Sequence, residues 1–278
     1  MSENPSVSRD DTQADLMARV DTSVPVSARI WNYWMGGNDY PIDKEAGDAY
    51  AQLSPGVFDL ARSSRSYLAR AVRYVTGDAG VRQFLDIGSG LPSHDPTHEV
   101  AQGVAPESRI VYADNDPLVL VHAQALLASN PHGGTDYIEA DLYDPGTLVS
   151  IARTKLDFTQ PIAIMLMGVM GHIGNPGEDD DEVARSIVDR LKDALPSGGY
   201  LVMYEGIDTD PAQDKALGQY NESGAVPYRV RRPEQVARFF DGLKLAAPGV
   251  VPIHQWRPDP STVDPPAVPA LGGVAKKP

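Results

Sequence analysis

From Val81 onward, short apolar runs of the kind that form buried strands alternate with helix-patterned segments. This rhythm admits few folds. Strands separated by helices pair in parallel through right-handed crossovers, and a parallel sheet is covered on both faces. The pattern predicts strands at 83–87, 109–113, 136–140, 161–167 and 200–204, with a late strand over 250–256. The run from Pro161 to Met167 is apolar throughout, as a central parallel strand requires. Helices are expected at 117–128, 180–195 and 233–240. The fold class is therefore a doubly wound α/β sheet.

The flanks read differently. Residues 1–24 carry few large apolar side chains and are expected to form a disordered or loosely attached tail. Residues 25–80 read as a helical extension rich in aromatic residues, among them Trp31, Tyr33, Trp34, Tyr40 and Tyr50. One helix is predicted from Ser27 to Trp34, stopped by Gly36-Gly37, and another over 63–75, ended by Gly77. The sheet domain then spans 81–257, and 258–278, rich in Pro, Gly and Ala, reads as a C-terminal tail.

Composition narrows the partners. The 278-residue chain has no Cys, so disulfides, thiolate metal sites and Cys nucleophiles are excluded. No metal site is expected. Neither a secretory signal nor a membrane span is evident, and a cytoplasmic location is expected. The formal net charge of −14 repels phosphate backbones and favours cationic ligands. Nucleic acid and membrane are not expected partners, whereas a homodimer is left open.

In an open α/β sheet, ligands bind beyond the carboxyl ends of the strands. The first strand ends in Asp86-Ile87-Gly88-Ser89-Gly90. Glycines let the backbone turn tightly and approach a ligand, but they fit an ordinary strand-to-helix turn as well. Asp86 sharpens the signal. A carboxylate there disfavours a pyrophosphate and suits an ammonium or sulfonium. The third glycine of the dinucleotide fingerprint is missing, since Leu91-Pro92-Ser93 follows. Asp114 ends the second strand, about 24 residues beyond Gly90, close to the spacing of a ribose-binding acid. It could instead cap the next helix, though Asp116 is better placed to do so. Asp141 ends the third strand, where it could accept from an adenine amino group with Leu142 against the ring. A solvated strand-end aspartate is the alternative.

These residues carry a resemblance. The order Asp86-Ile-Gly88-Ser-Gly90, then Ala113-Asp114-Asn115-Asp116-Pro117, then Ala140-Asp141, looks like the class I methyltransferase fold. Outside that core, Ala28-Arg-Ile-Trp-Asn-Tyr-Trp-Met35-Gly36-Gly-Asn-Asp-Tyr40, the extension to Pro92, and Thr97-His98-Glu99-Val-Ala101 resemble an actinobacterial family of S-adenosylmethionine-dependent methyltransferases. That family was formerly classed as a domain of unknown function. The match spans roughly Val26 to Trp256. It implies a mostly parallel, seven-stranded, Rossmann-like sheet with an N-terminal helical extension, and S-adenosylmethionine as cofactor. It does not supply the methyl acceptor. His94-Asp95-Pro96 departs from the smaller, Gly- or Asn-containing loop expected after the glycine turn.

Expected cofactor residues are thus Asp86, Gly88, Ser89, Gly90, Asp114, Asn115, Asp141 and Leu142. Arg65 could pair with the cofactor carboxylate, as could Arg29, and Met35-Gly36 belong to a possible lid. Methyl transfer from an activated sulfonium needs alignment and exclusion of water, and a base only where the acceptor must lose a proton. His172, after the fourth strand, and Glu205, at the end of the fifth, are the candidate catalytic residues. His98 and Glu99 follow. Each has a plainer structural reading as a local hydrogen-bond partner. Trp31, Tyr33, Trp34 and Tyr40 could wall a pocket or simply pack the extension onto the sheet. The acceptor is expected to be a small molecule. The competing function is a non-catalytic S-adenosylmethionine-binding regulator.

Overall fold

The computed structural model describes residues 15–38, 40–91, 95–127, 134–174, 181–259 and 265–278. The readings at 1–14, Asp39, Pro92, Ser93, His94, Ala128, 175–180 and 260–264 lie outside these residues. Side chains of 123–127 are likewise not described.

Among the described residues, eight strands form one sheet: β1 (Gln83–Ile87), β2 (Arg109–Asp114), β3 (Gly134–Glu139), β4 (Ile162–Met167), β5 (Tyr200–Gly206), β6 (Lys244–Leu245), β7 (Val251–Pro252) and β8 (Ala270–Lys276). The order is β3-β2-β1-β4-β5-β8-β6, with β7 also paired to β8. β1 to β5 are mutually parallel, and β8 runs antiparallel to β5, β6 and β7. The chain builds outward from β1 to β3, then returns to place β4 on the other side of β1. That reversal leaves a crevice above the carboxyl ends of β1 and β4. β1 and β5 are buried at every position.

Nine helices are described around this sheet. α1 (Ser27–Trp34), α2 (Pro41–Leu53) and α3 (Val57–Gly77) precede it. The connecting helices are α4 (Thr97–Val104), α5 (Pro117–Leu127), α6 (Pro145–Ala152), α7 (Glu182–Ala194), α8 (Pro211–Asn221) and α9 (Pro233–Arg238). α3 and α4 cover the face carrying Phe84, Tyr112, Met165 and Val202. The opposite face, with Leu85, Val111, Ile164 and Leu201, is covered by α6 and α7. Successive strand residues alternate between these two layers. α1, α2 and α8 form a third apolar cluster with Trp34, Tyr50, Leu217 and Tyr220. It roofs the crevice. Among the described residues no helix is long and apolar enough to cross a membrane.

One expectation about the flanks is corrected. Residues 270–276, read as part of a Pro-rich tail, are β8 and lie inside the sheet between β5 and β6. Gly272 and Gly273 are there for space: a Cβ on Gly272 would lie 2.8 Å from the Tyr67 ring. The Tyr67 hydroxyl donates to the Gly273 carbonyl at 2.8 Å, tying α3 to the strand. At the other end, residues 15–24 are attached to the domain. Leu16 is buried against Leu120 and Val121, and Arg19 pairs with Glu139.

The late strand is also shorter than expected. Only Val251–Pro252 pairs with β8, and Ile253–Gln255 forms a 3-10 turn that delivers Trp256 into the core. Pro252 has no amide hydrogen to continue the ladder.

Candidate active site

A cavity of about 290 Å³ opens above the carboxyl ends of β1, β2, β3 and β4, under α1, α2 and α8. Its floor is the β1 turn. Gly88 and Gly90 both have left-handed backbones, with φ of +67° and +64°. A Cβ on Gly88 would lie 2.3 Å from Val169 Cγ2, so this position needs glycine for both conformation and space.

Three strand ends bring carboxylates to this turn. Asp86 lies on the face shared with Phe84 and is 3 % exposed. Its Oδ2 accepts from Thr97 Oγ1 at 2.6 Å, while Oδ1 is buried with no hydrogen-bond partner. Burial pushes the Asp86 carboxyl up to about 6, against the opposing pull of Thr97 and Arg65. Asp114 accepts from the backbone amides of Gly90, Asn115 and Asp116 at 2.9, 2.9 and 3.0 Å. It thereby fixes the glycine turn against β2. Burial raises its carboxyl despite these donors. Asp116 accepts from the Leu118 amide and takes the capping role, as its position in the sequence suggests. Asp141 closes a small turn by accepting from the Tyr143 amide, with Leu142 buried beside it.

Asp86, Asp114, Asp116, Asp141 and Leu142 line the cavity, as do Ser89, Asn115, Arg65 and Met35. Ser89 Oγ is a second buried polar atom without a partner. The Arg65 guanidinium is half-buried, with Nε against Met35 Sδ at 3.3 Å. Two expected members do not reach the cavity wall. Gly36 terminates α1 with φ of +91°, and its amide donates to the Tyr33 carbonyl. Arg29 is buried behind the wall, where it pairs with Asp116 and donates to the Asp21 carbonyl.

The catalytic candidates separate. His172 lines the cavity at the 3-10 turn Met170–His172. Its Nδ1 lies 3.0 Å from the Pro227 carbonyl oxygen, which can only accept. Nδ1 therefore carries the proton, and Nε2 accepts from Ser27 Oγ at 2.8 Å. Burial lowers the His172 pKa and keeps the ring neutral. The Ser27 hydroxyl also meets the Tyr220 phenol.

Glu205 does not reach the cavity. Tyr204 and Gly206 line it, and the intervening side chain points to the other face of the sheet. There Glu205 accepts from the Met170 amide at 2.9 Å and the Tyr228 hydroxyl at 3.3 Å. Burial pushes its carboxyl up to about 7, although Arg231 opposes the shift. Its position supports the His172 turn from behind. His98 is held by the Tyr112 hydroxyl at 2.8 Å, and Glu99 is exposed. Of the four aromatic residues expected at the lid, Trp31 and Trp34 reach the cavity. Tyr33 instead bonds Asp48, and Tyr40 lies against Arg29.

Several wall residues escape sequence reasoning. Gln213, Leu217 and Tyr220 come from α8, and Val226 and Tyr228 from the loop after it. Arg231 anchors the region from beneath. It donates to Asp181 Oδ1 at 2.8 Å and to the carbonyls of Met170 and Ile173 at 2.7 and 3.2 Å. No local motif marks these residues, because the connection 207–232 meets the crevice only once the sheet is assembled.

The family described as S-adenosyl methyltransferase matches residues 13–278. A DUF574 family protein from Streptomyces avermitilis MA-4680 is 41 % identical, with a TM-score of 0.85 over 93 % of this chain and 99 % of its own. A candidate methyltransferase from Thermobifida fusca YX is 38 % identical, with a TM-score of 0.83 over 92 % and 96 %. The S-adenosylhomocysteine-bound magnesium protoporphyrin IX methyltransferase from Synechocystis PCC 6803 is 11 % identical at a TM-score of 0.53, covering 90 % and 93 %, which shows a shared fold alone. No curated protein matches the chain.

Proposed function

This chain belongs to the S-adenosyl methyltransferase family, and on that premise we propose that it methylates a small molecule held under α1, α2 and α8. It is an S-adenosylmethionine-dependent methyltransferase with the corresponding Rossmann-like fold. The bound cofactor supplies a methyl group already activated on a sulfonium.

The observation that carries the placement of the cofactor is the pair of unpartnered buried atoms, Asp86 Oδ1 and Ser89 Oγ, at the glycine turn. Buried polar atoms are normally hydrogen-bonded. An anionic acceptor and a hydroxyl beside a half-buried guanidinium suit an amino-acid end that carries both an ammonium and a carboxylate. Asp86 would hold the ammonium and Arg65 the carboxylate. Asp114 has acceptor capacity left for ribose hydroxyls, and Leu142 offers an apolar face to the adenine beside Asp141.

His172 is proposed as the proton acceptor. Its Nε2 carries the ring's acceptor lone pair, engaged by the Ser27 hydroxyl, which also meets Tyr220. An acceptor atom that displaces or contacts the Ser27 hydroxyl would lose its proton toward Nε2 as the new bond to carbon forms. Glu205, expected from sequence at the same edge, is assigned a supporting role through the Met170 amide.

The test uses S-adenosylmethionine labelled on the methyl group, offered to the protein with actinobacterial cell extract separated into metabolites, proteins and nucleic acids. Label should enter the metabolite fraction. Label found mainly in protein or nucleic acid would contradict the reading, and saturable cofactor binding with no label transfer to any fraction would favour a non-catalytic role. His172→Ala should lower kcat by about 10²-fold or more, as expected for loss of a general base. Cofactor affinity should stay within about threefold. The acid limb of the pH–rate profile should vanish, and a change confined to KM would remove His172 from proton transfer.

A further inference from the structure

The charged residues of the cavity wall are segregated. Arg65, Asp86, Asp114, Asp116 and Asp141 all face the glycine turn and the strand ends. The part of the wall formed by α1, α2, α8 and the 226–228 loop carries no Asp, Glu, Lys or Arg among the described lining residues. It is built from indole, phenol and aliphatic groups. A charged acceptor placed there would be desolvated without a counter-ion, which disfavours its binding. Aromatic walls, by contrast, favour planar apolar molecules.

Besides the Ser27 hydroxyl, which His172 engages, and the phenol and indole groups, that wall holds one amide side chain. Gln213, in the first turn of α8, is 3 % exposed and lines the cavity. Its amide group lies beside the Tyr50 hydroxyl across the α2–α8 contact. Its Oε1 is buried and has no partner. A carbonyl oxygen can only accept, so the missing partner must bring an O–H or N–H.

We propose that Gln213 is a specificity residue that reads an O–H or N–H donor on an uncharged, aromatic methyl acceptor. This rests on the proposed placement of the acceptor under the helices. The orphaned oxygen defines the polar requirement, and the uncharged wall defines what is refused. A site built to bond a donor rejects an analogue lacking it, because the buried oxygen is left unpaired. An acceptor bearing a carboxylate is rejected for a second reason, since it meets Oε1 with an acceptor and the wall with a charge.

The test is equilibrium binding to the full-length protein saturated with S-adenosylhomocysteine. The probes are two phenols of different size, 4-ethylphenol and 2-naphthol, each compared with its carboxylate counterpart and its hydroxyl-free hydrocarbon. At least one phenol should bind about tenfold or more tightly than both of its counterparts. In Gln213→Met that preference over the hydrocarbon should fall to within about twofold, while S-adenosylhomocysteine binding is unchanged. Retained cofactor binding shows that the variant is folded. The proposal is overturned if a carboxylate binds as well as its phenol, if neither phenol binds at millimolar concentration, or if Gln213→Met keeps the hydroxyl preference. Failure of the wild-type protein to bind S-adenosylhomocysteine would instead sink the cofactor placement on which the proposal stands.

Discussion

Asp86→Asn should weaken S-adenosylmethionine binding by about 10²-fold while leaving the protein folded. The substitution keeps shape and removes charge. A hydrogen bond to a charged group contributes about 1.5–3 kcal/mol, and about 1.4 kcal/mol is tenfold in affinity. Stability should move the other way. Burial holds the Asp86 carboxyl at about 6, above its ordinary value near 4. A raised carboxyl favours the protonated form in the native state, so its contribution to stability is present at low pH and is lost as pH rises through about 6. The unliganded variant should therefore melt no earlier than the parent at pH 8, and higher if the Asn amide finds Thr97.

The same shift sets the pH dependence of binding. A cation at Asp86 favours the ionised carboxylate, so affinity should rise with pH up to about 6, by at most tenfold per unit, and then level off. Above about 7.7 it should fall again as an α-amino group deprotonates. The acid limb should be absent in Asp86→Asn. Unchanged affinity in this variant would place the cofactor elsewhere.

The second large effect concerns the buried support under the His172 turn. Arg231→Met should destabilise the protein by about 3–5 kcal/mol, because it leaves Asp181 buried without its counter-charge. Arg231 is fully buried and also satisfies the carbonyls of Met170 and Ile173. For a domain of this size that loss lowers Tm by roughly 10 °C. The double variant Arg231→Met/Asp181→Leu should recover much of the stability, since no unpaired charge remains. It should not recover turnover, because Met170 and Ile173 stay unanchored and His172 sits between them. A single variant with wild-type Tm would show that the pair contributes little.

The sequence made the site's floor legible and its roof obscure, for physical reasons. The strands β1 to β5 and the turn Asp86-x-Gly88-x-Gly90 are local patterns, set by burial, which covers both faces of β1, β4 and β5 and only part of the edge strand β3, and by the backbone freedom of glycine. Asp116 caps the helix at Pro117, as its spacing suggested. β8 was illegible because its central Gly272 and Gly273 carry no strand signal. They are required by the Tyr67 and Phe240 rings that pack on them, contacts distant in sequence. α2, α6 and α8 lack long apolar stripes, although Asp144 and Asp210 cap α6 and α8. Each begins at a proline, which alone marks a turn as readily as a helix. Glu205 was misplaced because strand-end position says which edge a residue occupies. Alternation, which Tyr204 and Gly206 on the cavity side make plain, says which face. The cavity wall on α8 and Tyr228 depends wholly on how the connection 207–232 folds back over the crevice.

The central claim is that the glycine turn and its carboxylates hold a cationic methyl donor rather than a dinucleotide. Calorimetric titration of the same preparation with S-adenosylmethionine and with NADH tests it directly. S-adenosylmethionine should bind at one site per chain with a micromolar or tighter Kd, and NADH should give no saturable heat. Saturable binding of NADH with none of S-adenosylmethionine would contradict the account.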